Sequence, residues 1–145
     1  MNYETRLFDI REINNLSQEK IAQKLQVARQ NYSFWETGTK FIPLKHLNNF
    51  CNIFDVSMDY ILKFDDKKYN DSKKITTLNK KEIGKRIKET RLANNVTQKE
   101  LADILNTTQS TISAYEAGTT LVITSFSYQI CKHFNISLDW LCGRK

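Results

Sequence analysis

The apolar residues of this chain recur at the three-to-four-residue spacing of helices, in two similar series eighty positions apart. A hydroxyl residue suited to cap a helix opens each series, Ser17 in the first and Thr97 in the second. After a two-residue break, a second short helical run follows and ends near Gly38 or Gly118. The pattern therefore predicts a helix, a tight turn and a helix, and it predicts this unit twice.

Extended to the whole chain, the pattern predicts five helices in each repeat. In the first repeat the predicted helices are residues 3–14, 18–25, 29–36, Pro43 through Phe54, and 57–62. In the second repeat they are residues 83–94, 98–105, 109–116, about 126–134, and 137–142. Thr124 and Ser127 stand where the first repeat has Leu44 and Leu47, and no Pro precedes them, so we expect this fourth helix to start later. One Pro and four Gly in 145 residues also favour helices, and the expected fold class is all-α.

The two series align without gaps over some sixty residues, which indicates a duplication. We expect domain 1 at residues 1–64, a linker at 65–82 and domain 2 at 83–145. The linker is polar and charged without an apolar period, so it is expected to be mobile, and residues 65–81 could span about 55 Å if stretched. The shared residues are mostly apolar or structural, whereas those at the start of each third helix differ.

Composition narrows the classes of function. The net charge of +6 permits a polyanionic partner without requiring one. No run of eighteen apolar residues and no charged-then-apolar leader occurs, so we expect a cytoplasmic protein without a membrane partner. Cys51, Cys131 and Cys142 are expected to be buried reduced thiols. No cofactor, metal site or small-molecule ligand is expected, and the absence of a nucleophile–base pair or glycine-rich phosphate loop predicts that the chain is not an enzyme.

These motifs resemble two copies of the phage repressor/Cro-type (XRE-like) helix-turn-helix domain. The residues that carry the resemblance are Ser17-Gln18, Ile21-Ala22, Leu25, Val27, Trp35-Glu36, Gly38, Pro43 and Val56 to Asp59, with Thr97-Gln98, Leu101-Ala102, Leu105, Ile112, Tyr115-Glu116, Gly118 and Ile136 to Asp139. The resemblance implies two five-helix lambda-repressor-like DNA-binding domains in tandem, joined by the polar linker.

The resemblance also implies structural roles. Arg11 would pair with Glu36, and Arg91 with Glu116, as ion pairs between the first helix and the end of the third. Gln18 and Gln98 would contact phosphates at the start of the second helix, although a surface residue that helps to cap that helix has the same appearance in the sequence.

The third helix of each repeat would enter the major groove with its first turn foremost. The residues expected to reach DNA are Ala28, Arg29, Gln30, Asn31 and Phe34 with the loop residue Lys40 in repeat 1, and Thr108, Gln109, Ser110, Thr111 and Ala114 in repeat 2. A merely solvated polar face is the other interpretation. It fits repeat 2 better, because no Lys or Arg occurs between Lys99 and Lys132, although Lys85, Arg86 and Lys88 could compensate.

The sequence thus favours a sequence-specific DNA-binding transcriptional regulator of the repressor type that reads half-sites with both third helices. The expected partner is double-stranded DNA, with a homodimer possible. The alternative is a protein-interaction or dimerisation module in which repeat 2 docks a partner or a second chain and only repeat 1 binds DNA.

Overall fold

The computed structural model describes residues 4–68 and 75–145. Within these ranges the chain forms ten helices and no strand, divided between two compact units, Met1–Ile75 (unit 1) and Thr76–Lys145 (unit 2). The helices of unit 1 are α1 (Leu7–Ile13), α2 (Gln18–Leu25), α3 (Arg29–Thr37), α4 (Leu44–Phe54) and α5 (Met58–Ile61). Those of unit 2 are α6 (Lys80–Ala93), α7 (Gln98–Ile104), α8 (Gln109–Glu116), α9 (Thr124–Phe134) and α10 (Leu138–Leu141).

Each unit encloses its own apolar core. In unit 1 the fully buried side chains include Leu7, Ile21, Tyr32, Leu47 and Phe50, so that every one of the first four helices contributes. The matching positions of unit 2 are Ile87, Leu101, Ile112, Ser127 and Ile130, all buried. Such short helices are only marginally stable in isolation, and the burial of apolar side chains at this spacing stabilises them.

Capping side chains determine where the second helices begin. The Ser17 hydroxyl accepts a hydrogen bond from the Lys20 amide at 3.1 Å. Thr97 forms a reciprocal cap, in which its hydroxyl accepts from the Glu100 amide at 3.0 Å and the Glu100 carboxylate accepts from the Thr97 amide at 3.2 Å. Both caps satisfy amides that the helix itself leaves without partners.

Glycines in left-handed backbone conformation follow the third helices. Gly38 has φ 78° and Gly118 has φ 73°, a region in which other residues are strained. Each turns the chain sharply out of its helix, so that the loop that follows runs beside the third helix.

The first helix of each unit begins at a different residue from the prediction. Helix α1 begins at Leu7 instead of near Tyr3, which lies outside the described residues. Helix α6 begins at Lys80, within the expected linker, because Asn79 caps it: its side-chain oxygen accepts from the amides of Lys81 and Glu82 at 3.0 and 3.1 Å.

The expectation of a later fourth helix in unit 2 was wrong. Helix α9 begins at Thr124, the position that corresponds to Leu44 at the start of α4, and both helices have eleven residues. Thr124 and Ser127 are buried despite their hydroxyl groups, and the Ser127 hydroxyl donates to the Thr124 carbonyl at 2.9 Å. That hydrogen bond satisfies the buried Ser127 hydroxyl, so Ser127 does not end the helix.

The expected linker, residues 65–82, is only partly described. Its residues 69–74 lie outside the described ranges. Lys67 and Lys68 lie against unit 1, because the Ser57 hydroxyl donates to the Lys67 carbonyl at 3.1 Å and the Ser57 amide to the Lys68 carbonyl at 3.0 Å. Cys51, Cys131 and Cys142 are buried and are not part of a disulfide. Among the described residues, no helix is both long and apolar enough to span a membrane.

Candidate nucleic-acid interface

A tight turn joins α2 to α3. Gln26 adopts the left-handed conformation, and the Val27 amide donates to the Ala22 carbonyl at 2.9 Å, so the chain reverses within three residues. Ala22 itself is only 2% exposed, and its methyl group leaves room for α3 to cross close to α2. In unit 2 the Thr107 amide donates to the Ala102 carbonyl at 2.8 Å, and Ala102 is equally buried. Both units therefore contain the predicted helix, turn and helix.

A two-point ion pair fixes the end of each third helix to the first helix of the same unit. In unit 1, Arg11 donates from Nε to Glu36 Oε2 at 2.9 Å and from Nη2 to Oε1 at 2.7 Å. In unit 2, Arg91 makes the same two bonds to Glu116 at 2.7 and 2.9 Å. The Glu36 side chain is 6% exposed and that of Glu116 is 4% exposed, so both carboxylates depend on these partners.

The guanidinium of each pair also closes the turn after the first helix. Arg11 Nη1 donates to the Leu16 carbonyl at 3.0 Å, and Arg91 Nη1 donates to the Val96 carbonyl at the same distance. In each unit one arginine side chain thus connects the first helix, the turn before the second helix and the third helix. The position of the third helix is set by this network as well as by apolar packing.

The pKa values follow from this geometry. Burial would raise the pKa of Glu36, but hydrogen bonds from Arg11, together with one from Gln18, hold it below its usual range. The hydrogen bond to Glu36 raises the pKa of Arg11, against the effect of burial, and the hydrogen bond to Glu116 raises that of Arg91 in the same way. All three groups are charged at neutral pH.

A glutamine links each ion pair to the first residue of the third helix. Gln18 donates from Nε2 to Glu36 Oε1 at 3.3 Å, and its Oε1 accepts from Arg29 Nη1 at 3.4 Å. Gln98 donates to Glu116 Oε1 at 3.1 Å, and its Oε1 accepts from Gln109 Nε2 at 3.5 Å. In each unit the glutamate carboxylate accepts a hydrogen bond from the side-chain nitrogen of the glutamine. The side-chain oxygen of the glutamine therefore faces the third helix, where it accepts a hydrogen bond from the first residue of that helix.

The exposed start of α3 brings together the residues predicted for unit 1. Ala28, Arg29, Gln30 and Asn31 are exposed on the first turn, and Phe34 is half-buried one turn on. Lys40, from the loop after Gly38, lies with Nζ 4.7 Å from the centre of the Phe34 ring. Cationic, amide and aromatic groups thus share one surface.

The start of α8 has the same placement and a different chemistry. Thr108, Gln109 and Ser110 are exposed, whereas Thr111 and Ala114 are half-buried. The Thr108 hydroxyl lies 3.0 Å from that of Ser110 and 2.9 Å from that of Thr111, and it accepts from the Thr111 amide at 3.3 Å. These hydroxyls are partly engaged with one another, so Gln109 is the long polar side chain of this turn.

The cationic residues of α6 do not all behave as expected. Arg86 donates to the Trp140 carbonyl, lies over the Trp140 ring and pairs with Glu82, so it holds α6 to α10. Lys80 and Lys81, which belong to the expected linker, instead lie beside the loop after α8. The signal that could have found them is Asn79 followed three residues later by Glu82, a combination typical of helix starts.

A helix-turn-helix family model matches residues 7–61 and again residues 87–141. The chain belongs to the helix-turn-helix family. The XRE-type resemblance is confirmed, and so is the all-α fold of two five-helix units that each contain a helix-turn-helix. Among the described residues no cluster of His, Cys, Asp and Glu suited to a metal ion occurs.

Several curated helix-turn-helix proteins are similar to part of the chain. The uncharacterized HTH-type transcriptional regulator YobD of Bacillus subtilis is 37% identical over 60 residues, which cover 41% of this chain and 54% of YobD. The uncharacterized HTH-type transcriptional regulator YqaE of Bacillus subtilis is 42% identical over 53 residues, 37% of this chain and 46% of YqaE. Antitoxin PezA of Streptococcus pneumoniae is 42% identical over 61 residues, 42% of this chain and 39% of PezA. The chain thus spans about half or less of the length of these relatives.

Among solved structures, the P22 c2 repressor protein in complex with the synthetic operator 9T is similar at 23% identity and a TM-score of 0.41. The match covers 48% of this chain and 100% of the repressor chain.

Proposed function

We propose that this protein is a sequence-specific DNA-binding transcriptional regulator of the repressor type, which reads one major-groove half-site with α3 and a second with α8. The observation that carries the proposal is the connection from a buried ion pair through a glutamine to an exposed polar helix start, present in both units. The names of the relatives YobD and YqaE, both HTH-type transcriptional regulators, support the same function.

In unit 1, the first turn of α3 carries the base-reading chemistry. The Arg29 guanidinium can donate two parallel hydrogen bonds to guanine, and the amides of Gln30 and Asn31 can pair with adenine. Each good two-point pair gives about 1 to 3 kcal/mol of discrimination against a wrong base. Gln18 and Lys40 lie at the edges of this surface and would contact phosphates, which fix the register of the helix in the groove.

In unit 2, Gln109 takes the role of the main base reader. Its amide can pair with adenine, and the methyl groups of Thr108, Thr111 and Ala114 can contact the methyl group of thymine. Ser110 can bond to several base edges, and Gln98 would contact a phosphate as Gln18 does. Since the two readers differ, the preferred operator is an asymmetric pair of half-sites.

The covalent connection favours binding of both units to one DNA. Lys67 and Lys68 still contact unit 1 and α6 begins at Lys80, so the intervening chain can reach about 40 Å at most. Successive major grooves on one face of DNA are about 34 Å apart. Tethering raises the effective concentration of the second unit to roughly millimolar, which lets two weak readers act together.

Selection of bound sequences from random double-stranded DNA tests the proposal. The whole chain is expected to enrich two different half-sites about one helical turn apart, Arg29→Ala to relax one half and Gln109→Ala to relax the other. A palindrome built from the α3 half-site alone, unaffected by Gln109→Ala, would indicate a homodimer in which unit 2 docks a partner chain. No enrichment even at low salt would remove the proposed function.

A further inference from the structure

The DNA-facing surface of unit 2 lacks the cations that the proposed function requires. In unit 1 the loop after the third helix carries Lys40, whereas the corresponding loop of unit 2 reads Gly118-Thr119-Thr120. No Lys or Arg occurs between Lys99 and Lys132, so neither α8 nor its loop can neutralise a phosphate. Because phosphate contacts dominate the affinity for DNA, another element of the unit must supply the positive charge.

Helix α6 extends to this loop. It begins at Lys80, seven residues before the position that corresponds to Leu7 at the start of α1, and is therefore about two turns longer at its amino end. Asn79 accepts hydrogen bonds from the Lys81 and Glu82 amides through its side chain, and from the Ile83 amide through its carbonyl at 3.0 Å. These three amides are thus already bonded, and the cationic groups of this turn are its lysine side chains.

The first turn of α6 packs directly on the end of α8 and its loop. Lys80 donates from Nζ to the Thr119 carbonyl at 3.4 Å. A Cβ built on Gly118 would lie only 2.7 Å from the Cα of Lys81, so the two backbones are in contact there. The missing side chain of Gly84 permits the approach, since a Cβ at that position would lie 2.1 Å from the Tyr115 carbonyl oxygen.

Three lysines of α6 form a cationic face, with the exposed Glu89 beside Lys85 and Lys88. Lys81, Lys85 and Lys88 follow one another at helical spacing and are exposed on one face of the helix. The acidic residue of the first turn, Glu82, pairs with Arg86 at 3.3 Å, and Arg86 in turn contacts Trp140. Unit 1 has Thr5 and Phe8 at the positions that correspond to Lys85 and Lys88, so this charged face belongs to unit 2 alone.

We propose that Lys80 and Lys81 are the phosphate anchors of unit 2, in the place that Lys40 occupies in unit 1. The inference rests on the proposed DNA-binding function and adds to it the source of the positive charge beside α8. Lys80 and Lys81, which the composition assigned to the linker, are thereby part of the proposed binding surface. Gly84 and Gly118 allow these residues to lie beside the loop after α8.

The salt dependence of DNA binding tests this proposal. The affinity of the full chain is measured between about 50 and 200 mM salt for the duplex recovered from the random-sequence selection, because each phosphate contact adds about 0.9 to the slope of log K against log salt. The double variant Lys80→Gln/Lys81→Gln should lower the slope by about 1.8, so that the wild type loses about 12-fold more affinity than the variant over this range. Lys40→Gln in unit 1 should lower the slope by about 0.9.

A matched control carries the same change of charge elsewhere on unit 2. Lys132→Gln/Lys145→Gln should leave the slope as in the wild type, and Lys80→Arg/Lys81→Arg should retain it because the positive charge is kept. The proposal would be overturned if Lys80→Gln/Lys81→Gln and Lys132→Gln/Lys145→Gln gave the same slope of log K against log salt. It would also be overturned if Lys80→Arg/Lys81→Arg lowered that slope. Absence of DNA binding by the wild type would instead refute the proposed function itself, so the two failures are distinct.

Discussion

At the scale of single residues, the buried carboxylate at the end of each third helix determines whether the reading surface is in place. Glu36 accepts hydrogen bonds from both Arg11 and Gln18, and Gln18 in turn accepts one from Arg29. A change at Glu36 therefore affects the helix that would read DNA. Removing one partner of such a buried ion pair strongly destabilises the fold, because the charge of the other partner remains buried without compensation.

Glu36→Gln should lower the free energy of unfolding of unit 1 by about 3 to 5 kcal/mol. Urea unfolding followed by Trp35 fluorescence in a Trp140→Phe background measures this, since the chain has only these two tryptophans. Glu12→Gln is the matched control: Glu12 also lies 3.3 Å from Arg11, but its side chain is 56% exposed and its loss should cost less than about 1 kcal/mol. Equal effects of the two changes would contradict the structural role of the buried pair.

His46 gives unit 1 a stability that depends on pH. Its ring stacks on Trp35 with centres 5.2 Å apart, and its buried Nδ1 has no hydrogen-bond partner among the described residues. Burial, followed by the charge of neighbouring Lys45, lowers the pKa of His46 below the ordinary 6.5. The folded state therefore binds a proton at His46 less readily than the unfolded state does. The contribution of His46 to the stability of unit 1 is complete above pH 6.5 and is lost as the pH falls below that value.

Unit 1 should accordingly become less stable between about pH 7 and pH 5, and His46→Gln should flatten this dependence. Urea midpoints at a series of pH values, read from Trp35, provide the measurement. His133→Gln, in unit 2, serves as the control and should leave the dependence of unit 1 unchanged. A pH dependence that persists in His46→Gln would assign it to another group.

At the scale of helices, the two units differ most in their first helix. Helix α1 has seven residues and α6 has fourteen, and the additional turns of α6 lie across the end of α8. The contact depends on Gly84, whereas the corresponding residue in unit 1 is the exposed Glu4. In unit 2, a residue without a side chain thus lies where the longer first helix meets the end of α8.

Gly84→Ala should destabilise unit 2 by about 1 to 3 kcal/mol, although Ala is the better helix former, because the added methyl group meets a backbone carbonyl oxygen at 2.1 Å. Exchange of the α9 backbone amides, measured by NMR, reports the stability of unit 2 and that of the α4 amides reports unit 1. Faster exchange confined to α9 is the expected result. Glu4→Ala, at the corresponding exposed position, should accelerate neither, and an unchanged α9 in Gly84→Ala would contradict the close contact.

The helices that carry the site could be predicted from the sequence, because their boundaries are set by local chemistry. Ser17 and Thr97 cap the second helices, and α2, α3, α7 and α8 begin where the apolar spacing and those caps indicate. The start of α6 was missed because Lys80 to Glu82 are polar, and Asn79 is a weak signal among charged residues. The start of α9 was missed because the hydrogen bond that allows Ser127 to be buried depends on the helix already being formed.

At the scale of the whole molecule, duplication supplies two similar scaffolds whose exposed helix starts differ. The structural network is repeated residue for residue, while Arg29-Gln30-Asn31 in one unit corresponds to Gln109-Ser110-Thr111 in the other. The proposed asymmetric operator follows from this difference, since similar scaffolds with different readers select different half-sites. Tethering makes the affinity for the pair exceed that for either half.

The most direct test of this account compares three duplexes with the intact chain: the selected operator, the operator with its α3 half-site scrambled, and the operator with its α8 half-site scrambled. The account predicts that each scrambled duplex binds more weakly than the intact operator by a factor of about 10² to 10⁴, the range expected when a tethered second contact is lost. Unchanged affinity after the α8 half-site is scrambled would contradict it, and would show that only the first unit reads DNA.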